Sequence, residues 1–135
     1  MKFIARQEWA VSGDSRGTIH VYTHTYKLEN VMVIDAHRGA IRSLAVHATQ
    51  PYLLSSADDH LMKLWDWDMG WVCTRSFKRD LYDLHHVCFN PMDANTFASV
   101  SASLEPNFPA SIKVGLLFSL SKEVTKFQHC SLILL

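Results

Sequence analysis

The chain has 135 residues, 48% of them hydrophobic, with 13 basic and 13 acidic side chains and a formal net charge of zero. That balance describes one soluble globular unit and excludes a disordered polyelectrolyte; without a basic excess, no nucleic-acid partner is expected. The three cysteines, Cys73, Cys88 and Cys130, are odd in number and form no Cys-x-x-Cys pair, so they are expected to be reduced, in a cytosolic setting, and buried as small hydrophobes.

The opening Met1-Lys2-Phe3-Ile4-Ala5-Arg6 carries positive charge but lacks the apolar core of about 7–15 residues that a signal peptide needs. No later window approaches the roughly 20 apolar residues of a membrane-spanning helix, so direct membrane insertion is not expected. Residues 10–13 and 18–22 read as a first hairpin, and residues 31–34 as an outer strand. An inner strand over 41–46 leads into the turn 47–51, which contains Pro51. Two apolar runs, 52–54 and 61–64, then flank a polar segment at 55–60, as a hairpin of two buried strands does, and this hairpin ends on Trp65-Asp66. Residues 72–77 give another outer strand, and Val87-Cys88-Phe89 another inner one, followed by the turn Asn90-Pro91-Met92-Asp93. The third hairpin, 97–101 with 112–114, is interrupted by Pro106 and Pro109, which cannot donate to a central ladder. No stretch shows a 3.6-residue period, and the whole reads as all-β.

The hairpins repeat. Ala10-Val11-Ser12-Gly13 and Thr18 to Tyr22 lie over Leu53-Leu54-Ser55-Ser56 and Leu61 to Trp65 at an offset of 43 residues, and a third copy starts 44 residues on at Phe97. Four-stranded propeller blades repeat at about 40–45 residues.

Ala36-His37, the inner strand, the turn with its proline, Ser55-Ser56-Ala57-Asp58-Asp59 and Lys63-Leu64-Trp65-Asp66 together resemble a WD-repeat β-propeller blade, most strongly across residues 37–66. The expected fold is therefore an all-β, partial WD-repeat β-propeller of about two and two-thirds four-stranded blades, not closed, since closure takes roughly four to eight. The blades are placed at about 1–34, 37–77 and 81–115, with 116–135 a divergent apolar tail that is either a strand or unstructured. An open arc exposes strand edges and an apolar blade face, which predicts self-association or dependence on a partner.

Lys2-Phe3-Ile4-Ala5-Arg6, Asp35-Ala36-His37, Ala45-Val46-His47, Leu61 to Trp67, Phe89-Asn90-Pro91 and Phe97-Ala98-Ser99 resemble, within that family, the first propeller of the coatomer beta-prime subunits, over about residues 1–103. The resemblance implies a non-catalytic coat subunit in vesicle transport between Golgi and endoplasmic reticulum, cytoplasmic and peripheral on those membranes. It implies other coat subunits and dilysine cargo tails as partners. Asp58 is the acidic pocket position this sequence keeps; its other reading is a solvated turn carboxylate. The resemblance also implies a structural tetrad in which His37 lies between Asp59 and a serine, Ser55 or Ser56, with that serine near the Trp65 indole. A fully paired network of this kind fixes a unique packing.

Departures from the pattern predict that cargo recognition is impaired. Gly39 stands where relatives carry an acid, Arg79-Asp80 replaces a glycine–histidine pair, and Gly115 replaces a tryptophan. In the first hairpin Arg16 and Tyr22 stand where a tetrad aspartate and tryptophan would be. A truncated or degenerate copy of a coat subunit is the expectation, with two alternatives open: a generic WD-repeat interaction scaffold fragment, or a non-functional truncated product. No enzyme is expected, because neither a nucleophile elbow nor a helix N-terminus for an oxyanion hole accompanies the Ser/His/Asp residues. No cofactor or metal is expected either: His20, His24, His85 and His86 lack zinc-ligand spacing. Trp67, Trp71 and Tyr82 are read as a recognition surface or as blade-to-blade packing, with Trp67 or Trp71 partly exposed beside the turn Asp68-Met69-Gly70.

Overall fold

The computed structural model describes residues 1–78, 83–102, 111–116 and 128–130. These form three antiparallel sheets of four strands each. The first runs β1 (Lys2–Ile4), β2 (Trp9–Gly13), β3 (Thr18–His24) and β4 (Leu28–Asp35), with one 3-10 turn (Ala5–Gln7) between β1 and β2. The second comprises β5 (Ile41–Val46), β6 (Tyr52–Ala57), β7 (Leu61–Asp66) and β8 (Val72–Lys78). The third comprises β9 (Asp83–Phe89), β10 (Thr96–Ala102), β11 (Ser111–Leu116) and β12 (Gln128–Cys130). Each sheet is a meander whose strands lie side by side in chain order.

Strand pairing preserves the sequence offset. Ala10 faces Tyr22 in the first sheet, Leu53 faces Trp65 in the second, and Phe97 faces Gly115 in the third. Because successive strand residues point to opposite faces, this shared register repeats one arrangement of inward side chains from sheet to sheet. Strand β5 packs against β1 and β2 on one side and against β9 on the other, so the sheets stack face to face along an arc.

Two apolar layers hold the stack. Between the first and second sheets lie Ile4, Val11, Ile19, Val21, Leu44, Leu53, Trp65, Trp67 and Trp71. Between the second and third lie Ala45, Leu54, Met62, Leu64, Val87 and Phe97, with Phe77 tilted against Phe97 at 5.2 Å between ring centres. Burial of such side chains stabilises by about 1.5–3 kcal/mol each, which makes these layers the main source of cohesion. The result is an all-β, unclosed partial propeller.

Three expectations need correcting. Cys73 and Cys88 are exposed. Cys73 sits on β8, which among the described residues is the outermost strand of its sheet, and Cys88 alternates with Val87, whose side chain takes the inward face. The polar run 55–60 is not all turn: β6 continues through Ala57, and Asp58-Asp59-His60 alone reverse the chain, with His60 at φ 62°. Trp67 and Trp71 are both buried, their rings 6.0 Å apart, and Trp9 from the first sheet lies 5.8 Å from Trp71. That is blade-to-blade packing, with neither ring left at the rim. Of the segment 116–135, Leu116 ends β11 and residues 128–130 form β12; the rest, like Arg79, Asp80, Tyr82 and the two interrupting prolines, lies outside the described residues. Among the described residues no helix is long and apolar enough to cross a membrane.

Candidate interaction site at the second sheet's rim

The site grows from the β6–β7 turn and the β4–β5 connection. That connection is fixed first by Gly17, whose carbonyl accepts the N–H groups of Ala36 (3.1 Å) and His37 (2.9 Å). Gly17 has φ +87°, and a Cβ there would lie 2.2 Å from the His37 carbonyl oxygen, so no larger residue fits without displacing the backbone.

His37 is then clamped. Its Nδ1 lies 3.0 and 3.1 Å from the two Asp59 oxygens, and its Nε2 lies 2.7 Å from Ser55 Oγ. The Trp65 indole N–H donates to the same Ser55 Oγ at 2.9 Å. With the proton on Nδ1 every member is paired: imidazole N–H to carboxylate, serine O–H to Nε2, indole N–H to serine oxygen. Asp59 also accepts the backbone N–H groups of Arg38 (3.0 Å) and Leu61 (3.1 Å). The serine is therefore Ser55. Ser56 Oγ, on the opposite face of β6, has no partner among the described residues.

Electrostatics favour this state. Burial pushes the His37 pKa down, more than the Asp59 carboxylate pulls it up, and Lys63 adds to the lowering. Burial works against the Asp59 charge, but the Arg38 N–H, the His37 ring and the Leu61 N–H outweigh it and hold the carboxyl below its ordinary range. The order Ser–His–Asp resembles a catalytic relay, but Ser55 is 0% exposed and already holds the indole. Its hydroxyl is closed off from solvent, and the hydrogen bonds tie the β6–β7 hairpin to the β4–β5 connection.

One residue further out, Asp58 faces the rim. Its carboxylate is gripped by Arg42 of β5, with Nε donating to Oδ1 at 2.6 Å and Nη2 to Oδ2 at 2.5 Å. This two-point contact uses both carboxylate oxygens. Gly39 approaches the same turn so closely that a Cβ would lie 2.9 Å from Asp59 N and 3.2 Å from Asp58 Cβ. The structure thus brings His37, Ser55, Asp59 and Trp65 into one network and leaves Asp58 outside it. Sequence reasoning missed Arg42; the only signal was an arginine in an inner strand whose neighbours Ile41, Leu44 and Val46 are apolar. His20 contacts Asp14 at 3.1 Å and His86 contacts Ser43 at 3.2 Å, and among the described residues no three His, Cys, Asp or Glu side chains are grouped as metal ligands.

Residues 28–66 match the family described as WD domain, G-beta repeat. The chain is 47% identical over 54 residues to coatomer subunit beta'-2 of Oryza sativa subsp. japonica, and 45% identical to coatomer subunit beta'-1 of Arabidopsis thaliana. Each match covers 33% of this chain and 6% of the relative. It is 31% identical over 70 residues to polyadenylation factor subunit 2 of Candida albicans, covering 52% of this chain and 12% of that one. The β-propeller domain of Cps50 (Swd1) from Myceliophteria thermophila superposes with a TM-score of 0.72 at 19% identity, over 87% of this chain and 35% of that one. The chain carries a WD repeat, and its fold is that of a β-propeller segment.

Proposed function

We propose that the chain acts as a non-catalytic WD-repeat scaffold related to the coatomer beta-prime subunits, in which reading of dilysine cargo tails is disabled. The observation that carries this reading is the Asp58–Arg42 contact. A lysine ammonium arriving at Asp58 has to displace a guanidinium that already holds both oxygens. Gly39, in the position where the coat relatives carry an acid, leaves no room for one without moving the Asp58–Asp59 backbone. His37, Ser55, Asp59 and Trp65 serve as the structural tetrad. The assigned setting is cytoplasmic and peripheral on coated membranes, with other coat subunits as partners and no catalytic step.

Phe3, Tyr22 and Val33 lie on the face of the first sheet turned away from the second, with Phe3 63% and Val33 57% exposed. In the second sheet the positions matching Phe3 and Tyr22, Val46 and Trp65, pack against the first. This supports self-association, or docking of another blade, through that face.

Titration with a peptide ending in the dilysine signal tests the cargo reading: no saturation is expected below about 1 mM, the weak end of specific recognition. Sub-millimolar binding that disappears in Asp58→Ala overturns it. A second reading, a general protein-interaction scaffold outside vesicle traffic, is favoured by the polyadenylation-factor match, which covers more of this chain than the coatomer matches do. Co-sedimentation with purified coatomer separates the two, since only the first predicts it.

A further inference from the structure

The β5–β6 turn contains a histidine that the tetrad does not use. His47 is 4% exposed, lodged edge-on to Phe89 at 4.8 Å and to Tyr52 at 6.2 Å. Its Nδ1 accepts the backbone N–H groups of Thr49 (3.1 Å) and Gln50 (2.9 Å). A ring nitrogen that accepts two N–H bonds holds a lone pair, so the proton resides on Nε2, which donates to the Ala94 carbonyl at 2.9 Å in the third sheet's β9–β10 turn. From the opposite side Arg6, in the 3-10 turn of the first sheet, donates to the carbonyls of Thr49 (2.5 Å) and Gln50 (2.9 Å) and lies over the Trp67 ring at 5.6 Å. The Thr49 carbonyl and the Gln50 N–H belong to one peptide group. A single amide is therefore polarised at its oxygen by the first sheet and delivers its N–H to the imidazole that holds the third.

The third sheet shows the same turn closed by another residue. Asn90 stands 43 residues after His47, and its Oδ1 accepts the Met92 N–H, capping its own turn. Its Nδ2 donates to Thr96 Oγ1 within the same sheet. Asparagine suffices to close this turn; in the second sheet the imidazole closes it and also reaches the third sheet.

We infer that Arg6, the Thr49–Gln50 peptide and His47 form a relay that couples docking of the first and third sheets through the second sheet's turn. Hydrogen bonds in series polarise one another, so loss of the outer bond weakens the inner one. The test uses the full chain and the nitrogen-15 spectrum of its histidine rings. In the unaltered protein the expected result is the Nε2–H tautomer at His47; an Nδ1–H tautomer overturns the relay. In Arg6→Gln, where the residue's own bonds run to the second sheet, the His47 Nδ1 resonance is expected to move while that of His20 stays put. An unmoved His47 resonance overturns the coupling. In His47→Asn, the Thr49 and Gln50 amides are expected to stay protected from hydrogen exchange while β9 and β10 amides exchange about tenfold faster, the scale of one net hydrogen bond. Unchanged exchange in β9 and β10 rejects the latch to Ala94. Should His47→Asn fail to fold, the tautomer and the Arg6→Gln shift still decide the matter.

Discussion

The hairpins of the first and second sheets share a register and differ in where the turn carboxylate points. In the second, Asp59 reaches out to His37 and the Arg38 N–H in the β4–β5 connection, making hairpin and connection one hydrogen-bonded body. In the first, the corresponding position is Arg16, and the acid is Asp14 at the end of the preceding strand. Its Oδ1 accepts the N–H groups of Arg16 and Thr18, both at 2.9 Å, and its Oδ2 meets His20 at 3.1 Å. The Thr18 N–H foremost, with His20, holds the Asp14 carboxyl below its ordinary range. Tyr22, in the place of Trp65, stacks on His20 at 6.2 Å. Both turns satisfy their own backbone. The signature residues are therefore not what closes a hairpin; they are what fastens a hairpin to the loop arriving from the neighbouring sheet.

Removing the two aromatic rings should separate the hairpins most clearly. Trp65→Ala takes a buried ring and the indole N–H out of the network and should cost about 3–5 kcal/mol in urea unfolding followed by circular dichroism. Tyr22→Ala, half-buried on the open face, should cost less than about 2 kcal/mol; equal losses would mean that the network adds nothing. Next, His37→Ala strands Asp59 and the Ser55 hydroxyl and should cost about 2–3 kcal/mol.

Acid sharpens the same contrast. Both His37 and Asp59 have pKa values lowered by folding, so each contributes stability above its unfolded value that is lost as pH falls through its folded one. Unfolding titrations should show stability falling below about pH 6.5 as His37 is driven to protonate, and again below about pH 3.9 through Asp59. In His37→Gln the upper step should vanish.

How much of this was legible depends on whether neighbours in sequence are neighbours in space. The 43-residue offset and the hairpins follow from spacing; the membership of His37, Ser55, Asp59 and Trp65 was implied by the resemblance to a WD repeat, and spacing only allowed it. The choice of Ser55 over Ser56 is strand alternation, resolved once the register is known. Burial of Trp67 and Trp71 was not legible, because it depends on Trp9 arriving from another sheet. Exposure of Cys73 follows from its strand being outermost, which composition cannot state. Arg42 on Asp58 and Arg6 on the Thr49 carbonyl are long-range contacts of long side chains, without a local signal at either end.

Smaller effects probe the rim and the turn. Arg42→Ala should cost under about 1 kcal/mol, as expected of an exposed ion pair, and should leave the tetrad's acid response intact. His60 sits at φ 62°, where the first sheet has Gly17 at φ +87°. His60→Gly should relieve left-handed strain and gain about 0.5–1 kcal/mol. Gly17→His, the reverse exchange, should be strongly destabilising, because the new Cβ would collide with the His37 carbonyl.

The WD match opens on β4, the outer strand of one sheet, and closes on β7, the third strand of the next. The unit written in the sequence is thus out of phase with the unit built in space. A tandem duplication of residues 28–66 would insert a sheet already stitched to its predecessor, and excising that segment would bring β8 in behind β3 in the place of β4, removing one sheet and leaving the others four-stranded. The stagger lets the array change length by whole sheets in either direction.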